Sequence, residues 1–202
     1  MLVDDGFSHW SLERAVDLVL LDARDPWGGG RLLPAGRMRE PRWALQRARA
    51  VVVSRLAAGE DPSPFYEQAA RYAPAALLAA GRHRVRGVAG LDGRYLEPQG
   101  RAQVVTGTGN PRAVEASARE AGFVVTGLSI YHDHHAFTLG EARRELARAA
   151  AADACLLLTA KDAVRWPAAA GDARVRVLEV EWEWVHGGEA VERLVFEGEE
   201  GG

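Results

Sequence analysis

Lysine is nearly missing from this chain: of 25 basic residues only Lys161 is lysine, and the other basic residues are arginine. Lys161 is therefore either a surface remnant or a position that needs a compact ammonium in place of a guanidinium fork. Cysteine also occurs once, as Cys155 within the apolar run 154–158, which excludes a disulfide inside the chain and reads as a buried, inert thiol. No stretch approaches the roughly 18 apolar residues of a membrane-spanning helix, and no basic-then-apolar leader opens the sequence; the expected compartment is the cytoplasm. Positive charge is not in excess, with a formal net charge of −3, so no nucleic-acid-binding surface is expected. Also missing is any Gly-x-x-x-x-Gly-Lys-Ser/Thr phosphate-binding loop.

What is present is enough for a substantial core: 202 residues, 48% of them hydrophobic. Short apolar runs alternate with helical stretches, which predicts an α/β fold on a mostly parallel sheet with flanking helices. The runs at 1–3, 16–21, 50–54, 103–106, 123–128, 154–158 and 174–180 read as strands. Stretches 41–48, 64–72, 111–121 and 139–151 read as helices, three of them opening on proline. Residues 182–185 and 190–196, joined through Gly187 and Gly188, read as a closing β-hairpin, and 197–202 as a frayed acidic tail. The middle, 57–100, is the least regular part, with an arginine cluster at 82–86 and a hairpin turn at Leu91-Asp92-Gly93-Arg94-Tyr95. A boundary near Gly100 divides the chain into a lobe over 1–100 and a second α/β lobe over 101–202.

Four constellations carry chemistry. The first is Asp4-Asp5-Gly6-Phe7-Ser8-His9, an acidic turn directly after an apolar start; carboxylates at the carboxyl end of a strand can hold Mg²⁺ against phosphate oxygens. Two neighbouring aspartates cannot both reach one metal from a regular strand, because their side chains diverge; Gly6 lets the chain turn. The second runs from Asp22 to Pro41 and contains Gly28, Gly29 and Gly30, then Arg37, Arg39 and Glu40, a set able to approach and pair with phosphate or simply a polar loop. The third is His132-Asp133-His134-His135, a set suited to a proton relay, to orienting a reacting group, or to metal ligation. The fourth is Thr159-Ala160-Lys161-Asp162, which follows a buried strand and opens a helix. Gly107-Thr108-Gly109-Asn110-Pro111 forms a similar rim loop, equally readable as a tight turn before a helix.

Taken in order, these motifs resemble the tetraacyldisaccharide 4′-kinase family, the lipid A 4′-kinases. The matching residues are Asp4-Asp5-Gly6-Phe7-Ser8-His9, Asp17–Asp22, Pro26-Trp27-Gly28-Gly29-Gly30, Leu32-Leu33-Pro34-Ala35-Gly36 with Arg39-Glu40-Pro41, Gly107-Thr108-Gly109-Asn110-Pro111, Asp133-His134-His135 and Thr159-Ala160-Lys161-Asp162. Ser8 stands where the family usually has glutamine, and Gly29 where it has asparagine. The resemblance implies a P-loop-kinase-like fold and phosphoryl transfer from ATP-Mg²⁺ to the 4′-hydroxyl of a tetraacyldisaccharide 1-phosphate, at the cytoplasmic face of the inner membrane as a peripheral protein. It implies that Asp4 and Asp5 hold Mg²⁺, with Asp5 also catalytic; that Arg39 and Lys161 bind ATP; that Glu40 lines the same pocket as a catalytic residue; and that His134 assists the group that activates the hydroxyl.

The family's membrane-associating helix, its phosphate-binding loop and an aspartate base all belong upstream of the matched motifs. The expectation is a C-terminal portion with its N-terminal part missing, inactive alone unless a separate chain supplies the loop. Two other readings stay open: a non-catalytic α/β partner or nucleotide-binding module, and a metal-dependent phosphoesterase built on 132–135.

Overall fold

The computed structural model describes residues 3–197. In chain order its elements are β1 (Leu18–Asp22), β2 (Ala50–Ser54), α1 (Ser63–Ala70), β3 (Leu77–Gly90), β4 (Tyr95–Leu96), β5 (Arg101–Thr106), α2 (Pro111–Glu120), β6 (Val124–Ile130), α3 (Leu139–Ala151), β7 (Cys155–Thr159), α4 (Ala160–Ala163), β8 (Val175–His186) and α5 (Gly188–Glu197). Contacts divide the chain into two compact units, one running to His83 and resuming at Trp182, the other spanning Arg84–Glu181. Where the sequence suggests a boundary near Gly100, the division falls inside two long strands, β3 and β8.

In the first unit the strand order is β1-β2-β3-β8. β1 and β2 pair in parallel, Leu18 opposite Ala50 through Asp22 opposite Ser54, and β2 and β3 pair in parallel as well. β2 is buried along its whole length, as its unbroken Ala-Val-Val-Val run requires of a strand covered on both faces. On one face Leu21, Val51 and Leu45 pack with Phe7 and Trp27; on the other, Ala50, Val52 and Ala79 meet Val191, Leu194 and Val195 of α5.

That last element corrects the expected closing hairpin. Residues 190–196 form a helix because Val191, Leu194 and Val195 recur at helical spacing and deliver one apolar face to the sheet; a period of two would have paired Glu192 with the core. Gly187 makes the turn possible: its φ is +70°, and a Cβ there would lie 2.6 Å from the Leu78 carbonyl oxygen.

The second unit has the order β3-β8-β7-β5-β6, with β4 beside β3. β5 pairs in parallel with β6 and β7, and β7 with β8. Two side-chain clusters fill its sheet faces, one around Leu156, Leu158, Phe137 and Trp166, the other around Val88, Val104, Leu157 and Phe123. α2 starts at Pro111 after Asn110, whose side chain accepts from the Ala113 N–H. α3 opens on a capping box, Thr138 and Glu141 each satisfying the other's backbone.

Other expectations shift. Of the strand expected at 1–3, residues 1 and 2 lie outside the described residues and Val3 is in no strand; the tail beyond Glu197 also lies outside them. Residues 42–47 form a 3₁₀ rather than an α-helix, tightened by the Ala48 N–H bonding to Leu45. The irregular middle contains the longest strand, β3. Its arginines alternate along the strand against glutamates of β8, Arg82 with Glu183 and Arg84 with Glu181, so a charge-rich run is compatible with pairing. The turn at 91–95 is the expected hairpin: β3 pairs antiparallel with β4, and the Gly93 N–H bonds to Gly90.

Candidate functional site

In the first unit the rim at the carboxyl end of β1 is an array of acid–arginine pairs. Asp22, the last residue of β1, accepts from the Arg24 N–H at 2.9 Å and pairs with Arg55 at 2.5 Å. Asp25 accepts from the Gly29 N–H at 3.0 Å and pairs with Arg37; these two donors, the backbone one foremost, hold its carboxyl below the usual range. Gly28, Gly29 and Gly30 all take positive φ, so the chain doubles back here. The Met38 N–H then bonds to Arg31, and the Leu33 N–H to Met38, which closes the loop and delivers Arg39 and Glu40 to the rim.

Arg39 pairs with Asp5. Both oxygens of Glu40 accept from Arg47 Nη2 at 2.9 Å. Arg47 also donates to the Phe7 carbonyl at 3.2 Å and lies over the Phe7 and Trp10 rings, 4.4 and 4.1 Å from their centroids. Arg14 donates to the carbonyls of Gly6 and His9 at 2.6 and 2.7 Å and pairs with Asp17. Two arginines, 14 and 47, thus fix the segment that carries Asp4 and Asp5.

Asp4 and Asp5 lie in a turn, with Asp5 at φ +57°, so the divergence of neighbouring strand side chains does not apply to them. Asp4 is exposed and has no partner among the described residues. Two carboxylates on one turn are a hard-oxygen donor set of the kind that shares Mg²⁺ with phosphate oxygens, and in that respect the residues fit the ion. Arg47 carries no motif signature, and its partners lie 7 and 40 residues away in sequence.

The second unit has its own rim, where β5, β6 and β7 end. Asp162, fully buried, is the joint. Its carboxylate accepts from Thr106 Oγ1 at 2.9 Å, from the Gly107 N–H at 3.0 Å and from Thr159 Oγ1 at 2.7 Å. It therefore ties the loop after β5 to the turn after β7. Gly107 packs so closely that a Cβ would stand 2.9 Å from the His132 carbonyl, and its own carbonyl accepts from the His134 N–H at 3.0 Å, which adds the loop after β6.

Within that last loop the two adjacent histidines do different things. His135 is nearly covered, flanked by Tyr131 and Phe137 with ring centroids 4.7 and 5.0 Å away. Its Nε2 is 3.1 Å from Glu141 Oε2 and its Nδ1 is 2.7 Å from His132 Nε2. Glu141, which accepts from the Thr138 N–H and hydroxyl and then from His135, has its carboxyl lowered from the ordinary 4.5 to about 2. His134, in the left-handed region at φ +60°, is exposed. Arg165 donates to its Nδ1 at 2.9 Å, and because a guanidinium can only donate, the neutral ring carries its proton on Nε2. Tyr131 donates to buried Glu145 at 2.9 Å; burial first and that bond second push its hydroxyl up to about 12.

Of the residues expected to act, Asp4, Asp5, Arg39 and Glu40 fall in the first unit, with Asp5 and Arg39 in contact, and His134 and Lys161 fall in the second. Lys161 is exposed and makes no ion pair or hydrogen bond with another described residue. Asp162, beside it, is the residue the sequence undervalued, although Thr159-x-x-Asp162 is a readable capping pattern. Among the described residues no three His, Cys, Asp or Glu side chains gather closely enough to hold a metal ion by themselves. The phosphoesterase reading therefore lacks a ligand set there.

A mostly parallel sheet with flanking helices, its charged and glycine-rich loops collected where strands end, defines a P-loop-kinase-like α/β protein. The model of the tetraacyldisaccharide-1-P 4′-kinase family matches residues 1–197, and the chain belongs to that family. Tetraacyldisaccharide 4′-kinases from Anaeromyxobacter sp. (strain Fw109-5) and Paramagnetospirillum magneticum are 37% and 39% identical to it, over 93% and 91% of this chain. The chain spans about half the length of these curated relatives, 52% and 53%. In fold it is similar to the crystal structure of LpxK from Aquifex aeolicus in complex with ATP, with a TM-score of 0.60 and 20% identity over 96% of this chain and 56% of that one.

Proposed function

We propose that this chain supplies the acidic and histidine-bearing parts of a lipid A 4′-kinase, which transfers the γ-phosphoryl group of ATP to the 4′-hydroxyl of a tetraacyldisaccharide 1-phosphate. The observation that carries this reading is the Asp4-Asp5 turn locked to the Arg39-Glu40 segment within a member of that family. Catalysis of this class is mostly positioning and charge neutralisation, and the residues present suit those tasks. Asp4 and Asp5 would hold Mg²⁺, which when bound supplies neutralisation of phosphate charge. Arg39 orients Asp5 and offers its remaining donors to phosphate oxygens. Glu40, with both oxygens taken by Arg47, acts as a positioning residue for this turn rather than as a proton carrier. His134 presents Nε2–H as a donor to the carboxylate base that activates the hydroxyl. Lys161 is a compact cation with no counter-ion among the described residues, fit for a nucleotide phosphate.

An acylated substrate together with ATP as phosphoryl donor would put this work at the cytoplasmic face of the inner membrane, with peripheral association; no helix among the described residues is long and apolar enough to cross a bilayer. The phosphate-binding loop would come from the half of the family's length outside this chain, in a separate chain or the same one. A second reading, a non-catalytic partner module, is favoured by the exposed apolar edge of β1.

The test is transfer of labelled γ-phosphate to the disaccharide lipid, measured for residues 1–202 combined with the unmatched half of the Anaeromyxobacter relative. Turnover is expected, with Asp5→Asn lowering kcat by ~100-fold or more while circular dichroism stays unchanged. An assembled pair without turnover, or turnover indifferent to Asp4→Asn and Asp5→Asn, overturns the reading.

A further inference from the structure

We propose that His132 is a positioning residue: it shares one proton with His135, and the resulting clamp holds the turn that presents His134. The task of His134 is taken from the kinase reading, on which the inference rests. His132 itself lies just outside the matched Asp133-His134-His135 motif.

The acceptors at the two ends of the histidine pair fix its proton count. His132 Nδ1 lies 3.1 Å from the Asp133 carbonyl oxygen, which can only accept, so that nitrogen carries hydrogen. At the other end His135 Nε2 is 3.1 Å from Glu141 Oε2. This oxygen also accepts from the Thr138 N–H and hydroxyl, both at 2.8 Å, and the carboxyl is lowered to about 2. Glu141 is therefore ionised, and His135 Nε2 carries hydrogen as well. Between the rings, His132 Nε2 and His135 Nδ1 are 2.7 Å apart. Two bare lone pairs would repel at that distance and two N–H groups would collide, so a single hydrogen lies between them. Four ring nitrogens thus hold three hydrogens, one more than two neutral imidazoles carry, and the pair bears one positive charge facing Glu141. The neighbouring polar groups are engaged elsewhere. Tyr131 donates to Glu145, Asp133 accepts from the His134 N–H, and Arg165 donates to His134.

The clamp matters because of what lies inside it. The His135 N–H bonds back to the His132 carbonyl at 3.2 Å, so the same two residues close the turn through backbone and side chain alike. Between them His134 sits at φ +60°, a strained conformation for a residue with a Cβ, kept only where its surroundings enforce it. The Gly107 carbonyl holds its amide at 3.0 Å and Arg165 holds its ring at 2.9 Å; the ring–ring bond fixes the width of the turn from outside. A bond that carries charge is stronger than its neutral counterpart, so the third hydrogen stiffens the turn.

The experiment is nitrogen-15 NMR of residues 1–202 with labelled histidine at neutral pH, the signals assigned through His132→Gln and His135→Gln. Three of the four ring nitrogens of His132 and His135 should carry hydrogen, with a scalar coupling across the bond between the rings. In His132→Ala the His134 amide should exchange about fivefold faster or more, and its ring should lose its single tautomer. His132→Gln, whose amide can still donate to His135 Nδ1, should restore most of both. In the assembly with the unmatched half of the Anaeromyxobacter relative, His132→Ala should lower kcat about tenfold with the KM for ATP unchanged, and His132→Gln should recover most of the loss. Two neutral rings, two fully protonated rings, or a missing coupling overturns the inference. So do His134 signals, or a kcat, indifferent to His132→Ala. An assembly without turnover, with the coupling and the His134 changes as expected, refutes the kinase reading and leaves the clamp standing.

Discussion

Three donors from two different loops converge on Asp162, a carboxylate with no exposed surface. Removing it leaves the buried Gly107 N–H without its acceptor and takes one from the Thr106 and Thr159 hydroxyls, so Asp162→Ala should cost about 3 kcal/mol, read as a lower urea midpoint with an unchanged slope. Asp162→Asn, which keeps an acceptor oxygen, should cost less. Glu141 gives a pH dependence whose sign follows from its lowered carboxyl. Its contribution to stability is complete above about 4.5 and drains away as pH falls toward about 2, where the folded form also takes up the proton. Urea melts over that window should therefore converge for the wild type and Glu141→Gln as the pH drops. Both acids sit three residues after a threonine, a spacing visible in the sequence. Arg47 is a different case, because its partners at Phe7 and Glu40 are brought together only by the fold.

Among the elements, β2, α2 and α3 were legible because each obeys one period from end to end and carries a plain start signal. β3 was hidden by its own arginines, whose partners on β8 are about a hundred residues away in sequence. α5 was misread because a glycine pair before alternating residues resembles a hairpin turn, whereas the deciding feature was the 191-194-195 spacing that meets Val52 and Ala79. That packing is testable. Val191 is 2% exposed, and Val191→Asp should destabilise the chain by about 3 kcal/mol or more, against about 2 for Val191→Ala, with the helical signal reduced on mild heating. If both variants melt like the wild type, α5 does not cap the sheet.

At the scale of the molecule, each unit owns a rim, and the two rims differ in kind. The second is joined through one buried carboxylate, Asp162, whose partners are neutral hydroxyl and backbone donors. In the first, Asp5, Asp22, Asp25 and Glu40 each already hold an arginine. The sequence shows these residue types but not their pairing, since the partners are separated by 7 to 34 residues and meet only when the loops close. The consequence is that a ligand does not enter an empty electrostatic well there. A metal–polyphosphate pair arriving together can exchange partners with the resident ions, cation to carboxylate and anion to guanidinium, so that nearly as many ion contacts form as break. The polyphosphate or the metal arriving alone would strand one half of every pair. On the kinase reading proposed above, such a rim would favour the neutralised complex over either of its components, through the contacts that already hold the loops in place.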